Sequence, residues 1–493
     1  MSEEFDALGP DRADKVSNIT AAIARQAGRH PAAPALILSD RVISYREMMA
    51  AIHANAWELL NQGVRPGQVL GVSMLQTPHH LVTLLAIALI GAVSVPVHAA
   101  LPAERRYLAA RRFAVSAIVS GRSDQQLEGI PFILLKPIDL TAAVPPLPPS
   151  TTQPGDLCRL VLSSGTSGDP KGVMCTHGYF LDRVDKSPYA CTPQSRLLAT
   201  DFNYGGFGHA MRMLIGGGAI VLPPANEPAS QAYMVRSHSV THWLLSPSMA
   251  EDILPLLEDD DVHFPSLVYL QILGAAPGKR LLDALFARFT PHVYVTYSTS
   301  EVGPVALTTP ELLRQIPESA GRPCAWVNLE IVDDNDRPVP AGQVGRLRMK
   351  WDGMFTEYYR DPALTAERFR DGWFYPRDSA RLDEQGLLYI EGREDDVVNI
   401  DGKKVYLREI EAVMQSHPAI REVAAFLVSS PGKRSLLAAA ILAADPAPPI
   451  EVLQAWAQAK LGSLCPDKLF YVDDFPRTTT RKILRNRIVL PRT

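Results

Sequence analysis

The stretch ISYREMMAAIHANAWELL, beginning at Ile43, limits the fold most strongly because of what surrounds it. Ser44 and Glu47 are spaced as a capping box, in which each side chain satisfies the other's free backbone donor, so a helix is predicted over about 45–60. QVLGVSML then reads as a strand, Thr77-Pro78 as the start of a second helix, and GAVSVPV as the next strand. Apolar strands alternating with helices describe βαβ units around a parallel sheet, so the fold class is α/β.

A length of 493 residues exceeds what one hydrophobic core serves, and two unequal domains are expected. The texture changes near residue 395, where GREDDVVNIDGKK gives way to one helix and a strand rich in Val and Ala. The C-terminal remainder of the chain is long enough for a small α+β domain. AVPPLPPSTTQPG, from 143 to 155, is too rich in proline for either element and reads as a connector inside the large domain, ahead of the strand LCRLVLS.

Composition sets exclusions. With 46% apolar residues, 21% charged residues and a net charge of −4, the chain is no generally cationic binder of nucleic acid or membrane surfaces. LVTLLAIALIGAVSVPV is interrupted by Pro96 and small polar residues, and no basic region precedes an apolar core at the N-terminus, so neither a membrane anchor nor export is expected. Cys158, Cys175, Cys191, Cys324 and Cys465 form no CxxC pair, which suits a reducing cytoplasm and suggests neither zinc nor disulfides.

SSGTSGDPKG, residues 163–172, comes directly after an apolar strand and poses a choice between a P-loop, another nucleotide loop and a surface turn. A P-loop needs glycine before its lysine, where Pro170 stands, and Ser or Thr after it, where Gly172 stands, so that reading fails. Ser163, Ser164, Thr166 and Ser167 still supply hydroxyl donors, while Gly165 and Gly168 let the backbone approach an anion ahead of Lys171. On these residues alone, a phosphate loop and a Gly/Ser turn with a solvated lysine both stay open.

The stretch resembles [ST][ST]GT[ST]GxPKG, the signature of the adenylate-forming ligases, which include acyl- and aryl-CoA synthetases, peptide-synthetase adenylation domains and luciferases. Further motifs recur in the family's order over nearly the whole chain. YSTSE, Tyr297 to Glu301, resembles YGxTE, with Ser298 and Ser300 in place of Gly and Thr. The resemblance implies a Tyr297 ring stacked on adenine, a hydroxyl residue at the phosphate and a magnesium-binding Glu301, a hard oxygen ligand beside ATP phosphates. Glu301 taken alone reads as a loop carboxylate. ILGAAPGKR resembles the strand and loop that flank the adenine and acyl groups, where Gly274, Ala275 and Ala276 admit a flat base.

DGWFYPRDSARLDEQGLLYIEGRED resembles GWxxTGDxxxxDxxGxxxxxGRxxD, with Pro376-Arg377 where Thr-Gly is usual. That implies Asp378 accepting from both ribose hydroxyls and Arg393 holding the ribose or phosphate edge. Taken singly, Asp378 reads as a turn cap and Arg393 as a partner of Glu394. PRTTTRKILR resembles PRTxxGKIxR, with Arg481 in place of Gly. The resemblance makes Lys482 the main catalytic residue, beside Glu301 and Thr166. Carboxylate attack on the α-phosphate joins two anions, and one preorganised cation is worth roughly 10² to 10³ in rate.

The resemblance further implies a large multi-subdomain N-terminal domain, residues 1–394, and a small mobile C-terminal domain, residues 395–493. The small domain would turn about a hinge at Asp395 between two reaction steps and bring Gly402 along a thiol tunnel; the bland reading of that segment is a charged interdomain loop. In RLLATDFNYGGFGHAMRMLIGGGAIVL, Phe202, Asn203, Tyr204 and Gly205 fit the aromatic-x-x-Gly pattern of acyl- and aryl-CoA ligases, with Phe207 also lining the acid pocket. Tyr204 stands where peptide synthetases carry an amine-binding aspartate, which disfavours an ordinary α-amino acid. Asp201 is a receptor for a more distant amine or a turn residue, and His209 reads as structural.

The activity implied is adenylation of a small carboxylic acid, aryl or acyl, using ATP and Mg²⁺, followed by transfer to a thiol. Coenzyme A and a carrier-protein phosphopantetheine end in the same arm, so an acyl or peptidyl carrier protein is an alternative partner. A non-catalytic nucleotide-binding module is the alternative of another class, motivated by Arg377 and Arg481, and a luciferase-like oxygenase shares the fold. The residues name neither the acid, the oligomeric state nor the pathway.

Overall fold

The computed structural model describes residues 16–136, 147, 151–164, 170–203, 205–257, 263–393, 397–400, 403–428, 436–477 and 483–491. They group into two compact units, one from residues up to 165 with 169–243 and 353–364, the other chiefly from 244–352 and 365 onward.

In the first unit the expected helix spans Tyr45–Asn61, with the Ser44 side chain accepting from Glu47 N while Glu47 accepts from Ser44 N at 2.7 Å. Thr77 caps Pro78–Leu89 by accepting from His80 N, and the proline sits where a helix needs no N–H partner. One sheet runs Phe132–Leu134, Ala117–Ser120, Val69–Val72, Val93–Pro96 and Leu157–Ser164, all parallel, then Pro170–Thr176 antiparallel. Every residue of Val69–Val72, Val93–Pro96 and Ala117–Ser120 is buried, as a parallel sheet covered on both faces requires. A second set of strands places Arg196–Leu198 beside Ala219–Val221, then Pro34–Ile37, then Val42–Ser44.

In the second unit Tyr269–Leu273 and Val293–Thr299 are parallel, with Gly303–Thr308 and Arg322–Pro323 next to them and antiparallel. A separate antiparallel sheet orders Phe369–Arg370, Trp373–Phe374, Gly345–Lys350, Asp378–Leu382 and Leu388–Arg393, with Asn328–Val332 also on Gly345–Lys350. The C-terminal segment has an α+β core of its own, in which Leu407, Ile410, Met414, Ile441, Leu453 and Leu469 pack together. The boundary expected at 395 falls inside this unit, and Asp395 lies outside the described residues. Among the described residues no helix is long and apolar enough to cross a membrane, and none of the five cysteines is in a disulfide.

Within this unit, Arg280 Nη1 donates to Pro418 O at 3.3 Å, close to a charged cluster around Glu251. Burial, then Glu422 and Asp252, raise the Glu251 carboxyl to about 7 against the pull of Arg421 and Arg280. A carboxyl raised on folding loses the protein stability as pH climbs from 4.5 through about 7. Glu251→Gln is therefore expected to stabilise the protein at pH 8 by about 1–2 kcal/mol, the linkage value being reduced by solvent screening, and to change little at pH 4. Urea titrations at the two pH values measure the difference.

Candidate active site

The nucleotide motifs meet in the second unit. Asp378 and Arg393 stand opposite each other across the hairpin of Asp378–Leu382 and Leu388–Arg393. Its turn is closed by Asp383, whose Oδ1 accepts from Gln385 N at 2.9 Å and Leu387 N at 2.8 Å. Arg393 Nε lies 4.0 Å from Asp378 Oδ1, and Arg393 Nη2 donates to Pro376 O at 3.4 Å. Asp378 is 8% exposed, and the Tyr297 hydroxyl donates to its Oδ2. That bond is not expected from the motifs, which give Tyr297 only a stacking role; the signal for it is tyrosine rather than phenylalanine at the aromatic position.

Burial, followed by Asp378, pushes the Tyr297 phenol well above its ordinary range, so it stays a donor. Tyr297 sits where the register shifts between Val293–Thr299 and Gly303–Thr308, and Thr299 Oγ1 accepts from Val302 N at 3.0 Å to hold the turn. Ser298 and Ser300 are exposed there, while Glu301 is 9% exposed. Gly274, Ala275 and Ala276 leave the end of Tyr269–Leu273 exposed, one strand away, with Leu273 opposite Thr296.

These residues fit a nucleotide. Arg393 Nε is buried and makes no hydrogen bond among the described residues, so it is a donor left for an outside acceptor. No cluster of three or more His, Cys, Asp or Glu gathers among the described residues. A single carboxylate such as Glu301 suits magnesium, which keeps waters and phosphate oxygens as its other ligands.

In the first unit the strands Leu157–Ser164 and Pro170–Thr176 pair antiparallel, with Ser163 opposite Lys171 and Ser164 opposite Pro170. Gly165, Thr166, Ser167 and Gly168 lie outside the described residues. Lys171 Nζ is 6.0 Å from the centroid of the Tyr358 ring. Gly172 is demanded by packing, since a Cβ there would come within 2.7 Å of Phe113 and 3.2 Å of Tyr359.

The segment expected to form the acid pocket is also in the first unit. Phe202 is fully buried and meets His80 edge-on at 5.9 Å; Phe207 meets Phe180 edge-on at 5.3 Å. Asp201 Oδ1 accepts from Asn203 N at 2.8 Å, a turn-forming bond. Gly205 precedes the helix Gly206–Ile215, but the steric demand falls on Gly206, where a Cβ would lie 1.8 Å from Asp201 O. His209 Nδ1 lies 2.8 Å from Tyr189 Oη and 3.3 Å from Arg212 Nη1. Burial, then Arg212 and Arg183, hold its imidazole pKa far down, so it is a neutral hydrogen-bonding group. Neither Gln76 nor Arg159 is expected from the motifs, yet Gln76 Oε1 accepts from Phe202 N at 3.0 Å, and Arg159 Nη2 donates to Phe202 O and Asn203 O. Their only sequence signal is a charged residue inside the apolar strand LCRLVLS. Tyr204, Gly402 and Lys482 lie outside the described residues.

Arg377, in the place of the usual glycine, has φ +67°, the left-handed conformation that costs a residue with a Cβ about 1–2 kcal/mol. Its Nη1 lies 3.6 Å from Glu367 Oε1 in a largely exposed pair. Arg377→Gly is expected to raise stability by about 0.5 kcal/mol, strain relief exceeding the lost pair and the greater freedom of the unfolded chain. Arg377→Ala keeps the strain and gains nothing, a contrast that chemical denaturation resolves.

The family model for AMP-binding enzymes matches residues 23–359, and that for the AMP-binding enzyme C-terminal domain matches residues 409–482. The chain is 28% identical over 500 residues to the 3-hydroxybenzoate–CoA ligase of Aromatoleum sp. (strain CIB), covering 92% of each protein. It is 27% identical over 504 residues to a linear gramicidin synthase of Brevibacillus parabrevis, covering 95% of this chain and 6% of that protein. O-succinylbenzoate coenzyme A synthetase from Bacillus subtilis, solved in complex with AMP, has the same fold at a TM-score of 0.85 and 22% identity, covering 97% of this chain and 99% of that one. A match that runs through both parts of the chain, in the order in which the motifs occur, makes this protein a member of the AMP-binding enzyme family.

Proposed function

We propose that this protein is an AMP-forming acid–thiol ligase that activates a small aryl or acyl carboxylic acid with ATP and passes it to coenzyme A. The observation that carries the reading is Asp378 facing Arg393 across one hairpin while Tyr297 donates to the same carboxylate. Asp378 accepts from the ribose hydroxyls, Tyr297 orients it and offers its ring to adenine at the Gly274–Ala276 strand end, and Arg393 Nε meets a ribose or phosphate oxygen. Glu301 and phosphate oxygens would hold magnesium, which supplies charge neutralisation on the phosphates when bound.

A substrate carboxylate oxygen attacks the α-phosphorus, the bond to the bridging oxygen breaks, and pyrophosphate leaves. Lys482, with Thr166 and the other hydroxyls of the 163–168 loop, neutralises the charge gathering there. The sulfur of coenzyme A then attacks the acyl carbon, AMP departs and the thiol proton passes to solvent. A C-terminal domain turning at Asp395 serves the second step by exchanging Lys482 for Gly402 beside the acyl group. Phe202, Tyr204 and Phe207 form the acid's surroundings, and Asp201 is spent on a turn bond to Asn203. Use of ATP and coenzyme A favours a cytoplasmic setting. The second reading, a carrier-protein phosphopantetheine as acceptor, is supported by the likeness to part of a gramicidin synthase.

Purified protein is expected to catalyse acid-dependent ATP–pyrophosphate exchange with at least one member of an acid panel, and Lys482→Ala to lower that exchange roughly 10² to 10³-fold with little change in ATP affinity. A wild type inert towards every acid, or a Lys482→Ala protein with undiminished exchange, overturns the reading. Mass spectrometry of products formed with coenzyme A or a phosphopantetheinylated carrier protein decides the acceptor.

A further inference from the structure

Arg159 is the one charged residue of Leu157–Ser164, and it is 1% exposed. Burying a guanidinium in an apolar strand is costly unless its donors are used. Two of its nitrogens are used on neutral acceptors, Nη1 donating to Ser94 Oγ at 3.1 Å and Nη2 to Phe202 O and to Asn203 O at 3.1 Å, while Nε is buried without a hydrogen bond among the described residues. The guanidinium carbon lies 4.6 Å from the Phe207 ring centroid. Asp201 is the carboxylate whose charge favours the ionised form, and although burial lowers the pKa to about 10 the group stays charged at neutral pH.

Residues 201–203 belong to no helix or strand, so their backbone groups have no ladder to satisfy them. Side chains do it instead. Gln76 takes Phe202 N, Asp201 takes Asn203 N, and Arg159 takes both carbonyls while covering Phe207. One guanidinium thereby joins two neighbouring parallel strands to Phe202 and Phe207.

We propose that Arg159 is a positioning residue that fixes the wall of the acid pocket by holding the Phe202 and Asn203 carbonyls and the Phe207 ring, an inference that rests on residues 201–207 being the acid-binding segment. It touches no reacting atom. Its planar fork is what the task requires, because a lysine ammonium is a point donor that cannot serve Ser94, two carbonyls and an aromatic face together.

The test compares Arg159→Lys and Arg159→Met with wild type by hydrogen exchange and by steady-state exchange kinetics. Both variants are expected to lose amide protection in peptides covering 201–207 while peptides covering 269–308 are unchanged. The KM for the acid should rise roughly ten-fold with the KM for ATP unmoved, the scale of losing hydrogen bonds from a charged donor. Gln76→Leu, which releases the same segment from its other side, should shift the acid KM in the same direction and stands in if the Arg159 variants fail to fold. Wild-type protection and acid KM in Arg159→Lys, or ATP and acid KM values rising in step, would overturn the proposal. A wild type without acid-dependent exchange would sink the ligase reading, whereas the hydrogen-exchange comparison decides the role of Arg159 either way.

Discussion

The hydrogen bond from Tyr297 to Asp378 ties together two sheets of the second unit, because Tyr297 lies near the end of a strand of one and Asp378 begins a strand of the other. Each group would be costly to bury alone: a carboxylate without a donor, or a phenol without an acceptor, forfeits its hydration for nothing. Paired, they fix where the hairpin that carries Arg393 lies against the turn that carries Glu301. Asp378, Arg393, Tyr297 and Glu301 thus share one frame, and the proposed chemistry, which consists mostly of charge placement, depends on that frame holding still.

The first unit solves a different problem with the same physics. Its parallel strands are buried on both faces and satisfy their own backbone, but residues 201–203 leave that regularity just before a helix. An irregular buried backbone needs side-chain donors and acceptors, and Gln76, Asp201 and Arg159 provide them. A segment held this way is stiff while its bonds are intact.

Departures from the family's motifs gain meaning from the backbone. Arg377 keeps a left-handed conformation that glycine adopts more readily, so the change adds charge and bulk next to Asp378 while retaining a conformation suited to glycine. Strain of this kind beside Asp378 persists only where the surrounding structure holds it. Gly206 makes the complementary point, since its contact with Asp201 O leaves no room for a Cβ although Gly205 is the glycine singled out by the motif.

The sequence by itself determined the local elements and the family. The Ser44–Glu47 box, the Thr77 cap and the apolar strands are all written in residues a few positions apart, where periodicity and turn chemistry act. Only the tertiary structure decided which distant groups meet. Phe202 lies 43 positions from Arg159 and 126 from Gln76, and Tyr297 lies 81 from Asp378. It also returned residues 353–364 to the first unit and seated the C-terminal segment with 244–352. Such pairings arise because a buried polar group without a partner is costly, and that cost does not say where the partner lies until the chain is folded.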